Sequence, residues 1–408
     1  MMLRKVAVLS MHTSPLAQPG SGDAGGMNVY VRELVTSLAH AGLECDVYVR
    51  RSDAQSPRYV VVEPGYRVVH IDAGPYDIAK ESLPDVVDEF AQGVRDHIEA
   101  TGGVDVIHAN YWLSGVAGHR LKHELHVPLV STFHTLALVK TESGDPEPAS
   151  RAAAERSIIG CSDIVLANCL AEQNQLQRLY QAPCDRIEIV PPGVDHAFFS
   201  PGPKAGARHA IGLGEFAGPL LVFVGRIQPL KGADIAVKAL ALLHRPDARL
   251  MIVGGASGTE GSHAQQELVQ LAHTLGVADQ IILVPPQAHH LLSSYYRAAD
   301  VCLVPSRSES FGLVALEAAA CGTPVVASAV GGLRTLVDDG HTGFLIEGRA
   351  PESYAARITE ILDSPELAAA LSHAAALRAR GYTWSMAAAR LRRLYADVSG
   401  ALALVTCR

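Results

Sequence analysis

From Asp300 to Gly332 the chain reads D-V-C-L-V-P-S-R-S-E-S-F-G-L-V-A-L-E-A-A-A-C-G-T-P-V-V-A-S-A-V-G-G. The apolar run from Asp300 to Val304 predicts a buried strand that breaks at Pro305. A helical segment begins near Phe311 and ends by Gly322, and a second apolar strand runs from Pro324 to Ala329. A strand–loop–helix–strand unit of this kind commits the region to an α/β fold. Glu309 falls in the loop and Glu317 about two turns into the helix, so their carboxylates stand roughly 10 Å apart at ~1.5 Å per helical residue. Acid/base pairs acting on one glycosidic bond stand about 5–9.5 Å apart. The wider pair suits two acceptors holding separate hydroxyls of one extended polyhydroxylated ligand, with the amides of Ser310, Phe311 and Gly312 at the helix start for an anion. A sugar nucleotide has that chemistry; two solvated helix glutamates are the bland alternative.

The 408 residues exceed one ordinary core and suit two α/β domains. The formal charge of −8 argues against a nucleic acid or membrane held by bulk electrostatics, so any anion is bound by local clusters. Seven scattered cysteines without C-x-x-C spacing read as reduced thiols of a cytoplasmic protein. No signal peptide and no apolar run of membrane-spanning length is evident.

Taken in order, residues 4–10 form a first strand, followed by the polar loop M-H-T-S-P-L-A-Q-P-G-S-G-D-A-G-G-M-N and a helix from about Val29 to Ala41. Gly25 and Gly26 allow close backbone approach to a diphosphate, although the loop is neither G-x-G-x-x-G nor a P-loop. Strands follow at Cys45–Arg50 and Arg67–Ile71, with an intervening hairpin that carries no evident chemistry. Lys80 precedes a helix from about Pro84 to Thr101; alone, it reads as solvated. Val104–Ala109 delivers Asn110-Tyr111-Trp112 at its carboxyl end, and Pro128–Phe133 delivers His134 and Thr135. Ligands of open α/β sheets collect at such ends. The loop K-T-E-S-G-D-P-E-P-A-S-R opens a helix carrying Arg151 and Arg156.

Ile187–Val190 leads into P-P-G-V-D, a stiff linker between domains. Pro219–Val224 then ends in G-R-I-Q-P-L-K-G, where Arg226 and Lys231 are placed to neutralise a diphosphate. Strands at Leu250–Gly255 and Ile281–Val284 follow, with Gln287 just beyond, and a last helix runs from about Ser385 to Ser399.

The E-x7-E spacing followed by C-G-T-P-V-V-A-S and G-G-L, together with G-R-x-x-x-x-K-G, resembles the retaining glycosyltransferases of family 4. Their GT-B fold has two facing Rossmann-like, doubly wound parallel-sheet domains and an interdomain cleft. The stretch S-M-H-T-S-P-L-A-Q-P-G-S-G-D-A-G-G-M-N-V-Y-V is similar to the opening of the mycothiol-pathway members, which join N-acetylglucosamine from UDP-GlcNAc to 1D-myo-inositol 3-phosphate. The resemblance implies that Glu309 meets the donor sugar, Glu317 the ribose, and Arg226 and Lys231 the diphosphate. It places Gln18, Pro19 and Gly26 near the nucleotide and Gln287 at uracil. His12, Asp23, Ala24, Gly25, Gly26, Met27, Asn28 and Tyr111 would line the acceptor, and Lys80, Thr135 and Arg151 its phosphate. His134 would lie against the donor sugar near the reacting carbon. A peripheral Mg²⁺ would sit on the carbonyls of Tyr296, Arg297 and Ala299 and the hydroxyl of Thr323; no cofactor is required for the chemistry. The loop from Thr141 to Asp145 is shorter than the family pattern, which leaves Arg156 a competitor of Arg151.

The expectation is therefore an acceptor-binding domain over residues 1–190, completed by residues 385–408, and a nucleotide-sugar domain over residues 191–384. His134, Arg226, Lys231 and Glu309 carry the chemistry, with front-face attack assisted by the leaving diphosphate. Relatives suggest a homodimer. One rival is another cyclitol or sugar acceptor; another is a GT-B epimerase, which has no use for the Lys80, Tyr111, Thr135 and Arg151 cluster. UDP-GlcNAc and UDP-glucose are not separable at this level.

Overall fold

Most of the described strands are buried along nearly their whole length, and parallel pairing with helices on both faces is how such strands are covered. The computed structural model describes every residue except 1, 2, 21, 23, 257, 402 and 408, and only the backbone of residues 258–262. The chain divides into two units: Met1–Ala17, Met27–Pro191 and Trp384–Arg408 in the first, and Gln18–Gly26 with Pro192–Thr383 in the second.

The first unit holds β1 (Lys5–Leu9), β2 (Glu44–Arg50), β3 (Tyr59–Glu63), β4 (Tyr66–Ile71), β5 (Val106–Asn110), β6 (Leu129–Thr132), β7 (Ile164–Ala167) and β8 (Ile187–Ile189). They form one sheet in the order β3-β4-β2-β1-β5-β6-β7-β8. Only the β3–β4 pair is antiparallel, and β3 is largely exposed at the edge. The helix Val87–Ala100 buries Phe90 and Val94 against this sheet in company with Leu121 of the helix Trp112–Leu125.

The second unit holds β9 (Leu220–Val224), β10 (Arg249–Val253), β11 (Ile281–Val284), β12 (Val301–Val304), β13 (Val325–Ser328) and β14 (Gly343–Ile346). All pairs are parallel and the order is β11-β10-β9-β12-β13-β14. Counted within the unit, that is the order 3-2-1-4-5-6 of a doubly wound nucleotide-binding sheet. Setting the hairpin strand β3 aside, the first sheet follows the same order. In each, the direction of winding reverses beside the first strand, between β1 and β5 and between β9 and β12.

Element ends differ from expectation in places where one residue decides. The helix expected from Val29 begins at Gly26 and runs to His40, which puts Gly26, Met27 and Asn28 in its first turn. The helix expected from Pro84 begins as a 3₁₀ turn, Lys80–Val86, with Pro84 inside it, and becomes α-helical only at Val87. Gly312 takes φ 104, so the helix expected near Phe311 starts at Leu313 and runs to Ala320.

The expectation of seven reduced cysteines is corrected. Cys161 and Cys407, 246 positions apart, are joined by a disulfide with Cα atoms 4.7 Å apart. Their pairing depends on the chain's return to the first unit, which no local spacing encodes. Cys45, Cys169, Cys302 and Cys321 are buried free thiols.

The helix Trp384–Ser399 is part of the first unit. Trp384 stands edge-on to Tyr30 at 5.7 Å. The Tyr395 hydroxyl reaches Nδ1 of His108 at 2.6 Å, while Nε2 meets the Thr132 hydroxyl at 2.8 Å. His108 is fully buried in β5, and burial pulls its imidazolium down to about 3 from an ordinary 6.5. The folded unit therefore holds it neutral, and the unfolded chain takes up its proton first. Its contribution to stability is full above about pH 6.5 and is lost as pH falls toward 3. Urea unfolding of the first unit followed from pH 8 to pH 4 is expected to show a midpoint that declines below pH 6.5, with that decline reduced in His108→Gln; an equal decline in the variant would contradict the assignment.

Candidate active site

Most of the candidate side chains of the second unit stand on the loops that follow β9 and β12, the two strands flanking its winding reversal, and on the helix Leu313–Ala320 beyond. Open α/β sheets bind ligands at that position because the adjacent loops leave in opposite directions. After β9, Lys231 donates to Oε1 of Glu309 at 2.5 Å, and the Ser306 hydroxyl donates to the same oxygen at 3.0 Å. Gly232 takes φ 76 under the Pro305 carbonyl, and a Cβ there would stand 2.2 Å from that oxygen. The Glu309 loop is clamped from the other side by Gly331 and Gly332. The Gly332 amide donates to the Glu309 carbonyl at 3.0 Å, and a Cβ on Gly332 would lie 2.3 Å from Cα of Phe311. The G-G of the motif is thus a steric requirement of the acidic loop.

Arg226 packs against the segment Gln18–Gly26, which belongs to this unit. A Cβ on Gly25 would stand 3.6 Å from Arg226 Nε. Gln18 donates its side-chain amide to the Gln287 carbonyl, bringing together a residue expected near the nucleotide and the one expected at uracil. Pro19 and Ala24 lie in the same segment, where Gly20 and Ala24 are bonded through their backbones at 2.9 Å. Asp23 falls outside the described residues.

Glu317 is buried, and both of its oxygens are engaged: Oε1 by His289 Nε2 at 2.7 Å, and Oε2 by the Tyr296 hydroxyl at 2.8 Å. Neither partner was anticipated from sequence. A carboxylate has about four acceptor positions, so Glu317 is oriented by these two bonds and keeps capacity for a ligand hydroxyl. Thr323 donates its hydroxyl to the Tyr296 carbonyl at 2.7 Å, and the Arg297 guanidinium is bound to Ser293 and the Phe198 carbonyl.

In the first unit, candidate side chains follow β1, β5 and β6. Tyr111 and His134 are not glycines, yet they take φ 75 and φ 60. His134 is the centre of a three-residue turn in which the Thr135 amide donates to the Phe133 carbonyl at 2.7 Å, a conformation that costs about 1–3 kcal/mol and concentrates at functional positions. Nε2 of His134 stands 2.9 Å from Asn110 Oδ1. An amide oxygen only accepts, so Nε2 carries the proton. The residue is only partly buried, but its ring is enclosed, with Tyr30 edge-on at 4.8 Å. Burial first, then the neighbouring His108 and His12, pull the imidazolium down to about 3.

Of the two arginines on the helix Ala149–Cys161, Arg151 is the one that meets Thr135 and Tyr111. Its Nη2 donates to the Thr135 carbonyl at 2.9 Å and hydroxyl at 3.0 Å, and its guanidinium lies 5.0 Å over the Tyr111 ring. The ring of His12 also packs against that of Tyr111, tilted, with centroids 4.3 Å apart. Arg156 instead lies over Tyr180. Sequence reasoning missed what holds Arg151. Glu155 Oε1 accepts from its Nε at 2.8 Å and Glu147 Oε1 from its Nη1 at 3.0 Å. Glu155 is fully buried and also accepts from the Ala137 amide and the Tyr180 hydroxyl. Glu155 lies one helical turn beyond Arg151, the one spacing that signalled a pair, whereas Glu147 stands in the loop before the helix Ala149–Cys161. Asn28 is buried and donates to the Thr13 hydroxyl at 2.7 Å and the Ser14 carbonyl at 2.6 Å, so it shapes the loop after β1. Met27 follows Gly26 in the first helical turn. Lys80 is exposed at the start of its 3₁₀ turn and is not among the groups that Arg151 and Thr135 are seen to bind.

Comparison with known proteins gives the family and the fold. The family description "Glycosyltransferase Family 4" matches residues 24–198, and "Glycosyl transferases group 1" matches residues 216–378. The D-inositol 3-phosphate glycosyltransferase of Thermobispora bispora is 45% identical, over 97% of this chain and 95% of its own. That of Actinosynnema mirum is also 45% identical, over 96% and 97%. Among solved structures, a sucrose-phosphate synthase from Thermosynechococcus elongatus matches with TM-score 0.91 and 32% identity, covering 97% of this chain and 98% of its own. The Anabaena protein HepE in complex with UDP and glucose shares the fold, with TM-score 0.78 at 19% identity over 97% and 100%.

Two outcomes follow from the geometry. Gly332→Ala forces its Cβ into Phe311 and is expected to destabilise the second unit by about 1–3 kcal/mol, read by urea unfolding; an unchanged midpoint would refute the steric reading. Because His134 is neutral across the physiological range, a pH–rate profile is expected to carry no ionisation near pH 6.5 that belongs to it; a limb near 6.5 that vanishes in His134→Gln would refute this.

Proposed function

The chain belongs to the D-inositol 3-phosphate glycosyltransferases of glycosyltransferase family 4, and from that premise we propose that it transfers N-acetylglucosamine from UDP-GlcNAc to 1D-myo-inositol 3-phosphate with retention at the anomeric carbon. The observation that carries the reading is the Lys231–Glu309 pair at the winding reversal of the second sheet, with Arg226 on the same loop after β9 as Lys231. A diphosphate leaving group needs fixed cations, and a hexose beside it needs an acceptor for its hydroxyls.

In this reading the donor lies on the second unit, with uracil near Gln18, Pro19 and Gln287, the ribose at Glu317 and the sugar at Glu309. The bond from C1 to the β-phosphate oxygen breaks, and charge grows on that oxygen within reach of Arg226 and Lys231. Removing one such preorganised group typically costs 10²–10³ in rate. The acceptor hydroxyl attacks the same face that UDP leaves, and its proton passes to the departing oxygen, so no protein base is consumed. His134 contributes its turned backbone carbonyl and a neutral ring to the cation-like sugar, which suits an imidazole kept unprotonated.

The acceptor lies on the first unit, near His12, Tyr111 and Thr135. Its phosphate dianion takes Arg151 in competition with Glu147, and a bidentate guanidinium favours the phosphate for its paired oxygens. Lys80 adds a point charge. A peripheral Mg²⁺ fits as an accompanying proposal. The Tyr296 carbonyl and Thr323 hydroxyl oxygens are 2.7 Å apart, close to the ~3 Å edge of a Mg²⁺ octahedron with bonds of ~2.0–2.1 Å. Carbonyls of Arg297 and Ala299 would complete the set. With no carboxylate among the four residues, such an ion would be structural and weakly held. Assembly as a homodimer belongs to the same proposal.

The test is product analysis by mass spectrometry and NMR after incubation with UDP-GlcNAc and either 1D-myo-inositol 3-phosphate or free inositol. A GlcNAc–inositol phosphate with retained anomeric configuration is expected with the phosphorylated acceptor alone. Arg151→Lys is expected to raise KM for that acceptor roughly tenfold or more through loss of the guanidinium fork, while Arg156→Ala leaves it near wild type. Donor binding without product from either acceptor would overturn the acceptor assignment, and equal turnover of UDP-glucose would overturn the donor.

A further inference from the structure

Four side chains with no part in the transferase reading converge on one point of the first unit. His119 and His123 are four residues apart on the helix Trp112–Leu125 and so share one face. Cys161 closes the helix Ala149–Cys161, and Cys407 comes from the segment that follows the helix Trp384–Ser399. One ligand atom from each lies within 4.8 Å of every other. Nε2 of His119 is 3.0 Å from Cys407 Sγ, and Nε2 of His123 is 3.0 Å from Cys407 Sγ and 3.1 Å from Cys161 Sγ.

We propose that His119, His123, Cys161 and Cys407 of the reduced protein form a tetrahedral Zn²⁺ site. Zn–S bonds of ~2.3 Å and Zn–N bonds of ~2.0–2.1 Å set ligand atoms about 3.3–3.8 Å apart; the imidazoles already stand near that distance from the sulfurs, and reduction frees the two sulfurs to separate to it. A disulfide alone makes no demand for two imidazoles aimed at its sulfurs, whereas two thiolates and two neutral imidazoles neutralise Zn²⁺ and complete its coordination. The surroundings are those of a supported site. Lys122, between the two histidines in sequence, is buried and donates to the Cys161 carbonyl at 2.7 Å and to Asp163 at 2.7 Å. Asp163 in turn accepts from the Val405 amide at 2.8 Å, which holds the segment bearing Cys407 against the two helices. Cys161 is buried, while His123 and Cys407 are exposed and leave an entry path.

The disulfide and the metal are alternative occupants of one place. A phosphine such as tris(2-carboxyethyl)phosphine supplies two electrons to the S–S bond; water supplies the oxygen that converts it to phosphine oxide and the two protons that complete the thiols. Zn²⁺ then displaces both thiol protons to solvent, and each sulfur forms a bond to the metal.

The experiment uses the full chain, reduced with that phosphine, exchanged into buffer and titrated with Zn²⁺, then with Co²⁺ as a spectroscopic substitute. One equivalent of metal is expected, with thiolate-to-cobalt charge-transfer absorption and the intense visible bands of tetrahedral Co²⁺. Cys407→Ser and His123→Ala should each weaken binding by no less than the ~10–100-fold that loss of an outer partner costs, with circular dichroism as the folding control. The oxidised protein should bind none. Failure of the reduced protein to take up an equivalent, a Co²⁺ spectrum without charge transfer, or unchanged binding in Cys407→Ser would each overturn the site.

Discussion

The reversal of winding in each sheet decides where chemistry can stand. A buried parallel strand has no polar face to offer, so reactive side chains must be delivered where strands end. The widest gap between consecutive loops opens where one connection goes left and the next goes right. Arg226 and Lys231 leave β9, and Glu309 follows β12 across that gap; Tyr111 and His12 occupy the matching gap beside β1 and β5. His134 and Thr135 follow the next strand along, β6.

Within those loops, charge is positioned before any ligand arrives. Glu309 is held by Lys231 and Ser306, Glu317 by His289 and Tyr296, and Arg151 by Glu147, Glu155 and Thr135. Buried ion pairs of this kind are a weak source of stability, because desolvation offsets the attraction. Their value is geometric: groups fixed in place need no reorganisation when charge develops. The two left-handed residues at strand ends, Tyr111 and His134, belong to the same economy, since backbone strain persists only where the surroundings hold it.

The architecture and the approach of Lys231 to Glu309 in the second unit were legible in the sequence because both rest on local motifs. Short apolar runs broken by Gly and Pro mark parallel strands, and Arg226, Lys231, Glu309 and Glu317 stand in compact motifs a few residues from them. What depends on tertiary approach was not legible. Arg151 and Arg156 occupy the same helix with similar neighbours, and only the packing of Tyr111 against one and Tyr180 against the other separates them. His289 and Tyr296 reach Glu317 from a different helix, and no glycine announces the positive φ of Tyr111 or His134. The pairing of Cys161 with Cys407 spans most of the chain. The exchange of Gln18–Gly26 into the second unit leaves no mark in composition.

The placement of the helix Trp384–Ser399 has a consequence for the order in which the molecule is made. Trp384 covers Tyr30, and Tyr395 satisfies His108 at the centre of the first sheet. Both groups wait until nearly four hundred residues have been synthesised, at ~5–20 residues per second. During that time the second unit has its entire sequence available and the first does not. The first unit, though earlier in the chain, is therefore the later to close, and its nascent form lacks the Trp384 cover of Tyr30 and one of the two partners of the His108 imidazole. Its exposure to misassembly on the ribosome is set by the length of the domain inserted between its two parts.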